Sequence, residues 1–327
     1  MLIFSLYVFL ISLLLSLAVT SLICRMKEAP AGKISHSGGF AIWLSFLVSS
    51  SLAFIFIYPL LPQKREVLGI YLCSGLIFIV GLIDDKRELS VILKFITQLL
   101  AAAIVMFFGV RTNIAGIGEP ANFVITVLWI LGITNAFNHL DIIDGLASGI
   151  ALVSFFTFYL ISVITSNLFV ALALIALCGS ILGFFRYNYP KAKIYMGNSG
   201  SHFLGFIIST LAIMISYASL EKRIALIIPL LILGFPIFDT LFVALIRILK
   251  HRPVWQKSKD HLPLRFVALG LSGERTVLSM CLLTFTFCAS AIIILYSSKK
   301  IGMFILALLV LLCIYIALEA KKIKVDD

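Results

Sequence analysis

FVITVLWILGITNAFNHLDIIDGLASGIALVSFFTFYLISVIT, residues 123–165, decides the fold. Two apolar runs, 123–138 and 146–165, flank a short segment holding Asn135, Asn138, His139, Asp141 and Asp144. About 20 apolar residues span the hydrocarbon of a bilayer. A polar group stranded in that hydrocarbon costs several kcal/mol. The cluster must therefore sit in water, at the membrane surface or in a polar cavity, with a membrane helix on either side.

The rest of the chain repeats the pattern. Of its 327 residues 61% are hydrophobic and 13% are charged, and the mean hydropathy is +1.14. This composition excludes a soluble domain and predicts an all-α, polytopic integral membrane protein with ten to eleven transmembrane helices. Apolar runs fall near 2–24, 39–61, 67–83, 91–108, 123–138, 146–165, 167–185, 203–219, 224–248, 276–297 and 300–318. The longest polar stretch, 251–274, is too short for a core of its own, so residues 1–327 read as a single transmembrane domain. The first run has no basic flank and no small-residue cleavage site, which predicts an uncleaved first helix. The six cysteines lie in or beside apolar runs without C-x-x-C spacing, as packing residues do.

Loop cations set the orientation. With the N-terminus outside, 18 of the 26 basic residues fall in inside loops and 7 in outside loops. The net charge of +11 is this topology signal and implies no nucleic-acid partner. The same orientation puts four polar segments on the cytosolic face of the cell membrane: Asp84-Asp85, 135–145, 195–202 and 251–274. Their coincidence predicts one composite site.

Each segment carries chemistry beside a plainer alternative. Asp84 and Asp85 suit Mg²⁺ or a base toward a phosphate, or else cap the helix that begins near Ser90. Helical spacing would put Asn138, Asp141 and Asp144 on one face, as oxygen donors for a hard cation or a phosphate. The small residues Gly197, Gly200 and Ser201 open an apolar helix and would admit a phosphate to its N-terminus, unless they form only a turn. Asp239 lies within a span, eight residues before Arg247, either lining a cleft or pairing with that arginine to fix packing. Pro236 allows a kink there. The loop from His251 gathers Arg252, Lys257, Lys259, His261 and Arg265, enough cations for a pyrophosphate or for anchoring at anionic lipid.

Taken together, Asp84-Asp85, NAFNHLDIIDGLA, MGNSGSHFLGF, PIFDT and KDHLPLRF resemble the polyprenyl-phosphate N-acetylhexosamine-1-phosphate transferase family. The order and spacing cover nearly the whole chain, and AGKISHSGG, with Lys33 and His36, fits a further family segment. Ile142 stands where the family has glycine, Asn198 where it has aspartate, and Pro263 and Leu264 where it has histidines. These departures place the chain nearer the undecaprenyl-phosphate GlcNAc-1-phosphate branch than the phospho-MurNAc-pentapeptide branch.

The resemblance implies transfer of a sugar 1-phosphate from a UDP-amino sugar to a polyprenyl phosphate, with release of UMP and dependence on Mg²⁺ or Mn²⁺. It implies Asn138 and Asn198 as metal ligands, with Asp141 and Asp144 around the cation or nucleotide. Asp84 or Asp85 would be the base or would position the lipid phosphate, and Lys94 would bind it. His261 and Arg265 would meet the nucleotide pyrophosphate. Lys33, Asn135, Gly197, Gly200, Ser201 and Asp239 complete the substrate site. Membrane lipid is a partner throughout, and a homodimer is allowed. A degenerate, non-catalytic member and a lipid-binding or transport protein are the competing readings.

Overall fold

The computed structural model describes residues 2–26, 34–57, 59, 61–217, 227–254, 258–323 and 325, with the side chains of 216 and 217 left out. Two compact units divide the chain, residues 1–221 and 222–327. The first holds α1 (Leu2–Arg25), α2 (Gly38–Ile57), α3 (Lys64–Lys86), α4 (Val91–Phe107), α5 (Gly118–Leu140), α6 (Leu146–Ile164), α7 (Leu168–Asn188) and α8 (Gly197–Tyr217). The second holds α9 (Ile227–Ile232), α10 (Gly234–Leu249), α11 (Leu262–Ala268), α12 (Gly273–Tyr296) and α13 (Lys299–Lys322).

Among the described residues, nine helices are long and apolar enough to cross a membrane. The chain is therefore a multi-pass, all-helical membrane protein. Two expected spans differ in detail. α4 has 17 residues, about 26 Å at 1.5 Å per residue, slightly short of a 30 Å hydrocarbon core. The expected span 224–248 is broken into α9 and α10 around Leu233. Gly234 and Pro236 stand in the first turn of α10, where a proline without its N–H is tolerated. The anticipated kink is thus a helix break. The polar loop 251–274 also contains α11, which apolar counting does not reveal.

In the first unit α7 and α8 form the interior. α8 is the more instructive, because 94% of its spanning window is buried. Lipid offers little hydrophobic drive between helices, so close backbone approach and hydrogen bonds take over. Glycines supply the approach. A Cβ on Gly205 of α8 would lie 2.6 Å from Thr134 Cα of α5, and one on Gly81 of α3 would lie 2.6 Å from Ser199 Cα of α8. α1 meets α7 in the same way: a Cβ on Gly179 would lie 2.5 Å from the Phe9 carbonyl. Ser12 and Ser16 of α1 donate to the carbonyls of Ala176 and Ser180 at 2.7 and 2.6 Å.

A short parallel bridge, Ser35 with Ile194, ties the start of α2 to the start of α8. Tyr195 N–H donates to Ser35 O, while Gly38 and Gly39 N–H donate to the carbonyls of Tyr195 and Met196. In the second unit α9 packs on α12, and α10 and α11 contact both α12 and α13.

Overpacking a tight helix crossing costs about 1–3 kcal/mol. Gly205→Val should lower the melting temperature of the detergent-solubilised protein by several degrees. Gly132→Val, where an added Cβ meets nothing within 4 Å, should leave it unchanged in the same calorimetric scan.

Candidate active site

The first unit brings three polar segments together at one end of α3, α5 and α8. α5 stops at Leu140, so Asp141 and Asp144 lie in a turn, not on a continuing helix face. The expected face of three oxygen donors is therefore not formed. Gly145 closes the turn at φ +79°, a conformation that favours glycine, and a Cβ there would lie 2.6 Å from the Tyr189 ring. Asp144 turns away from Asn138 and accepts the Ala192 N–H at 2.9 Å.

Asp85 is bound to the N-terminus of α8. Its carboxylate accepts the N–H groups of Asn198 and Ser199 at 2.6 and 3.0 Å. Positive partial charge and unsatisfied N–H groups gather at a helix start. Here a carboxylate of the chain itself takes the place expected for a substrate phosphate. The helix beginning near Ser90 is instead capped by Ser90, whose Oγ accepts the Leu93 N–H. Gly197 has φ +73°, and a Cβ on it would lie 2.7 Å from Asp85 Oδ2. Gly200 packs against Gly39 of α2.

Seating α8 in this way aims Asn198 at α5. Asn138 Nδ2 donates to Asn198 Oδ1 at 2.9 Å and to Ser201 Oγ at 3.0 Å, while Ser201 donates to the Gly197 carbonyl. The two amides expected to share a role thus touch, and these bonds use the Asn138 side-chain nitrogen and not its side-chain oxygen.

Beside them lies an open cleft lined by Asp84, Lys94, Thr97, Gln98 and His202. Asp84 is buried, accepts the Leu89 N–H at 2.7 Å and pairs with Lys94 at 2.7 Å. Lys94 keeps 22% of its side chain exposed, so its ammonium still reaches a ligand in the cleft. Asn135 exchanges amide bonds with Gln98, at 2.7 Å from Asn135 Nδ2 to Gln98 Oε1. Gln98 lies one turn after Lys94 on the same face of α4. That spacing was the available sequence signal for it, and His202 follows directly on Ser201. Asn188, which bridges the Asp144 turn and the lead into α8, carried no such signal.

The second unit corrects two expectations. Asp239 is fully buried and pairs with His261 Nδ1 at 2.7 Å, while its other oxygen accepts the Leu262 N–H at 2.7 Å. Arg247, the anticipated partner, donates to the Pro253 carbonyl. Arg265 is not a free phosphate ligand. It is 2% exposed and donates to the Asp260 carboxylate and carbonyl and to the carbonyls of Ala320 and Ile323. The end of α13 consumes its donors. Burial alone would raise the Asp260 carboxyl. Hydrogen bonds from Lys250 and Ser258, with the charges of Lys250 and Arg265, outweigh it and hold the carboxyl below its usual range. Lys33 lies outside the described residues.

Charge in the first unit is least balanced at the Asp141 turn. Burial, reinforced by the negative charges of Asp85 and Asp144, pushes the Asp141 carboxyl up to about 7 against a single opposing bond from the Gly197 N–H. Among the described residues no three acidic, histidine or cysteine side chains converge to hold a metal by themselves. Mg²⁺ needs no such cage, since it takes one or two carboxylates and keeps waters for substrate oxygens to replace. Asp141 with the amide oxygens of Asn138 and Asn198 is a hard-oxygen set that fits it.

Comparison with known proteins shows the family. The glycosyl transferase family 4 pattern matches residues 67–216, the stretch from α3 to α8 that carries all three segments. A probable undecaprenyl-phosphate N-acetylglucosaminyl 1-phosphate transferase of Bacillus subtilis (strain 168) is 32% identical over 93% of this chain and 88% of its own length. A decaprenyl-phosphate N-acetylglucosaminephosphotransferase of Mycobacterium tuberculosis is 30% identical over 78% of this chain and 70% of its own. A phospho-N-acetylmuramoyl-pentapeptide-transferase of Staphylococcus aureus is 27% identical over 55% and 61%. By the identity it shares with the Bacillus relative along nearly its whole length, and by the pattern spanning α3 to α8, the chain belongs to glycosyl transferase family 4.

Proposed function

We propose that this protein transfers N-acetylglucosamine 1-phosphate from its UDP-sugar to a polyprenyl phosphate at the cytosolic face of the membrane, releasing UMP. The observation that carries this reading is the joining of Asn138 to Asn198 beside the raised Asp141 carboxyl, next to a small cleft that presents Lys94. The activities for which the Bacillus and Mycobacterium relatives are named support the substrates.

In the reaction an oxygen of the lipid phosphate bonds to the sugar-bearing phosphorus of the nucleotide. The bond from that phosphorus to the bridging oxygen breaks, and UMP leaves with the electron pair. A phosphate monoester has a second pKa of about 6, so the acceptor is already ionised near neutrality. No strong base is required, and Asp84 and Asp85 are free to do what the structure has them do. Asp84 fixes the Lys94 ammonium, which steadies the acceptor phosphate. Asp85 holds α8 and with it Asn198. Asp141, Asn138 and Asn198 would hold Mg²⁺. When bound, that ion neutralises charge on the transferring phosphoryl group. Positioning and charge stabilisation account for nearly all catalysis of such transfers.

Purified protein given UDP-GlcNAc, undecaprenyl phosphate and Mg²⁺ should form an organic-extractable sugar pyrophosphate and equimolar UMP. Asp141→Asn should cut turnover about 100-fold, in line with the loss of a charged catalytic contact. Retention of full turnover in that variant would remove Asp141 from the centre of the site.

Metal binding should depend on pH with a definite sign. The raised Asp141 carboxyl is protonated below about 7, and a protonated carboxyl is a poor ligand. The thermal shift produced by a fixed, subsaturating Mn²⁺ concentration should therefore grow from pH 6 to pH 8. Asp141→Asn should flatten that profile.

A further inference from the structure

Asn188 is the last residue of α7 and is 3% exposed. Its side-chain oxygen accepts the Gly145 N–H at 3.0 Å and the Ser148 hydroxyl at 3.0 Å. Its side-chain nitrogen donates to the Ile194 carbonyl at 3.0 Å. One buried amide thus joins two stretches of chain more than 40 residues apart in sequence. The first is the turn that carries Asp141 and Asp144 and leads into α6. The second is the strand-like lead into α8, which carries Tyr195, Gly197 and Asn198.

Each partner of Asn188 sits at a point where the backbone decides a site side chain. Gly145 ends the Asp141–Asp144 turn in the left-handed conformation that only glycine adopts easily. Its N–H would be a buried, unpaired donor without the Asn188 oxygen, and such groups are rarely left unmade. Ile194 is the residue that pairs with Ser35 in the parallel bridge, and the next residues form the start of α8. Two other side-chain bonds join these stretches, from Ala192 N–H to Asp144 and from Gly197 N–H to the Asp141 carboxylate. Asn188 and Asp144 therefore clamp the C-terminal end of the turn to the start of the α8 lead, while Asp141 meets the far end of that lead at Gly197. The buried amide has the lower exposure and spends both its oxygen and its nitrogen on the clamp.

We propose that Asn188 is a positioning residue for the transfer reaction. It sets the distance between Asp141 on the turn and Asn198 at the head of α8, and so controls how well the two hold a divalent cation together. The inference rests on the function proposed above but reaches beyond it. It names a residue outside the substrate cleft whose effect should appear in metal dependence more than in substrate affinity.

The test compares the full-length wild-type chain in detergent with Asn188→Ala, Asn188→Asp and Ser148→Ala. Asn188→Asp keeps the acceptor for Gly145 and loses the donor to Ile194. Ser148→Ala removes one bond and leaves the bridge. Four quantities are read: kcat, KM for each substrate, the Mg²⁺ concentration at half-maximal turnover, and the melting-temperature shift caused by Mn²⁺ without substrate.

The two Asn188 variants should lose about 10- to 100-fold in kcat and need several-fold more Mg²⁺. Their Mn²⁺-induced shift should shrink, and the KM for polyprenyl phosphate should stay within about twofold. Ser148→Ala should lose no more than a few-fold. Wild-type kcat and Mn²⁺ shift in both Asn188 variants would overturn the proposal. So would a rise in the KM for the UDP-sugar alone, since that marks a substrate contact. If Asn188→Ala does not fold, Asn188→Asp decides by the same readings. Absence of turnover in the wild type would sink the transferase reading instead, and the Mn²⁺ shift would still report on the clamp.

Discussion

The structure of the first unit depends on a carboxylate at a helix start. Asp85 ends α3 and accepts the first free N–H groups of α8, the most enclosed helix of the unit. A buried charge is expensive unless hydrogen bonds and opposite charge compensate it. The helix terminus offsets part of that cost, because its N–H groups are unsatisfied and carry partial positive charge. Glycines at 39, 81 and 205 let α2, α3 and α5 close on α8 at backbone distance. With the helix seated, Asn198 has one direction in which to point, and that direction meets Asn138.

The helices were legible from the sequence because lipid leaves a chain few choices. Every backbone polar group must be satisfied within the segment, so a long apolar run becomes a helix. The runs at 2–24, 146–165 and 276–297 match α1, α6 and α12 to within a few residues. What hydropathy could not show was where a run breaks. The span 224–248 is apolar up to Asp239, yet Gly234 and Pro236 divide it, because a proline takes its place in the first turn of a new helix more easily than inside an old one.

Site residues were legible as a set and illegible in their pairings. Helical spacing put Asn138, Asp141 and Asp144 on one face, but the helix ends at Leu140 and the face with it. Asp85 looked like a cap for the next helix in sequence, and it caps one that begins more than 100 residues later. Arg265 read as a ligand for the nucleotide pyrophosphate, and Asp260 and the end of α13 take its donors. In the last two cases a deciding partner lies far away in sequence, where local periodicity carries no information. Asn188 is the extreme case, since nothing in its neighbours separates a clamp from an ordinary helix-ending asparagine.

Compensation also sorts the four aspartates of the first unit by what remains for each to do. Lys94 neutralises Asp84. The head of α8 answers Asp85. Asp144 is bound to the Ala192 N–H. Asp141 has the Gly197 N–H against burial and two neighbouring carboxylates, and its proton is held until about pH 7 as a result. A carboxyl in that position gains most from a divalent cation, because the cation removes the repulsion that raises it. Two negatively charged substrates brought to the same place would deepen the imbalance. In the proposed reaction these electrostatics would favour a cation beside Asp141, where burial and neighbouring carboxylates act together.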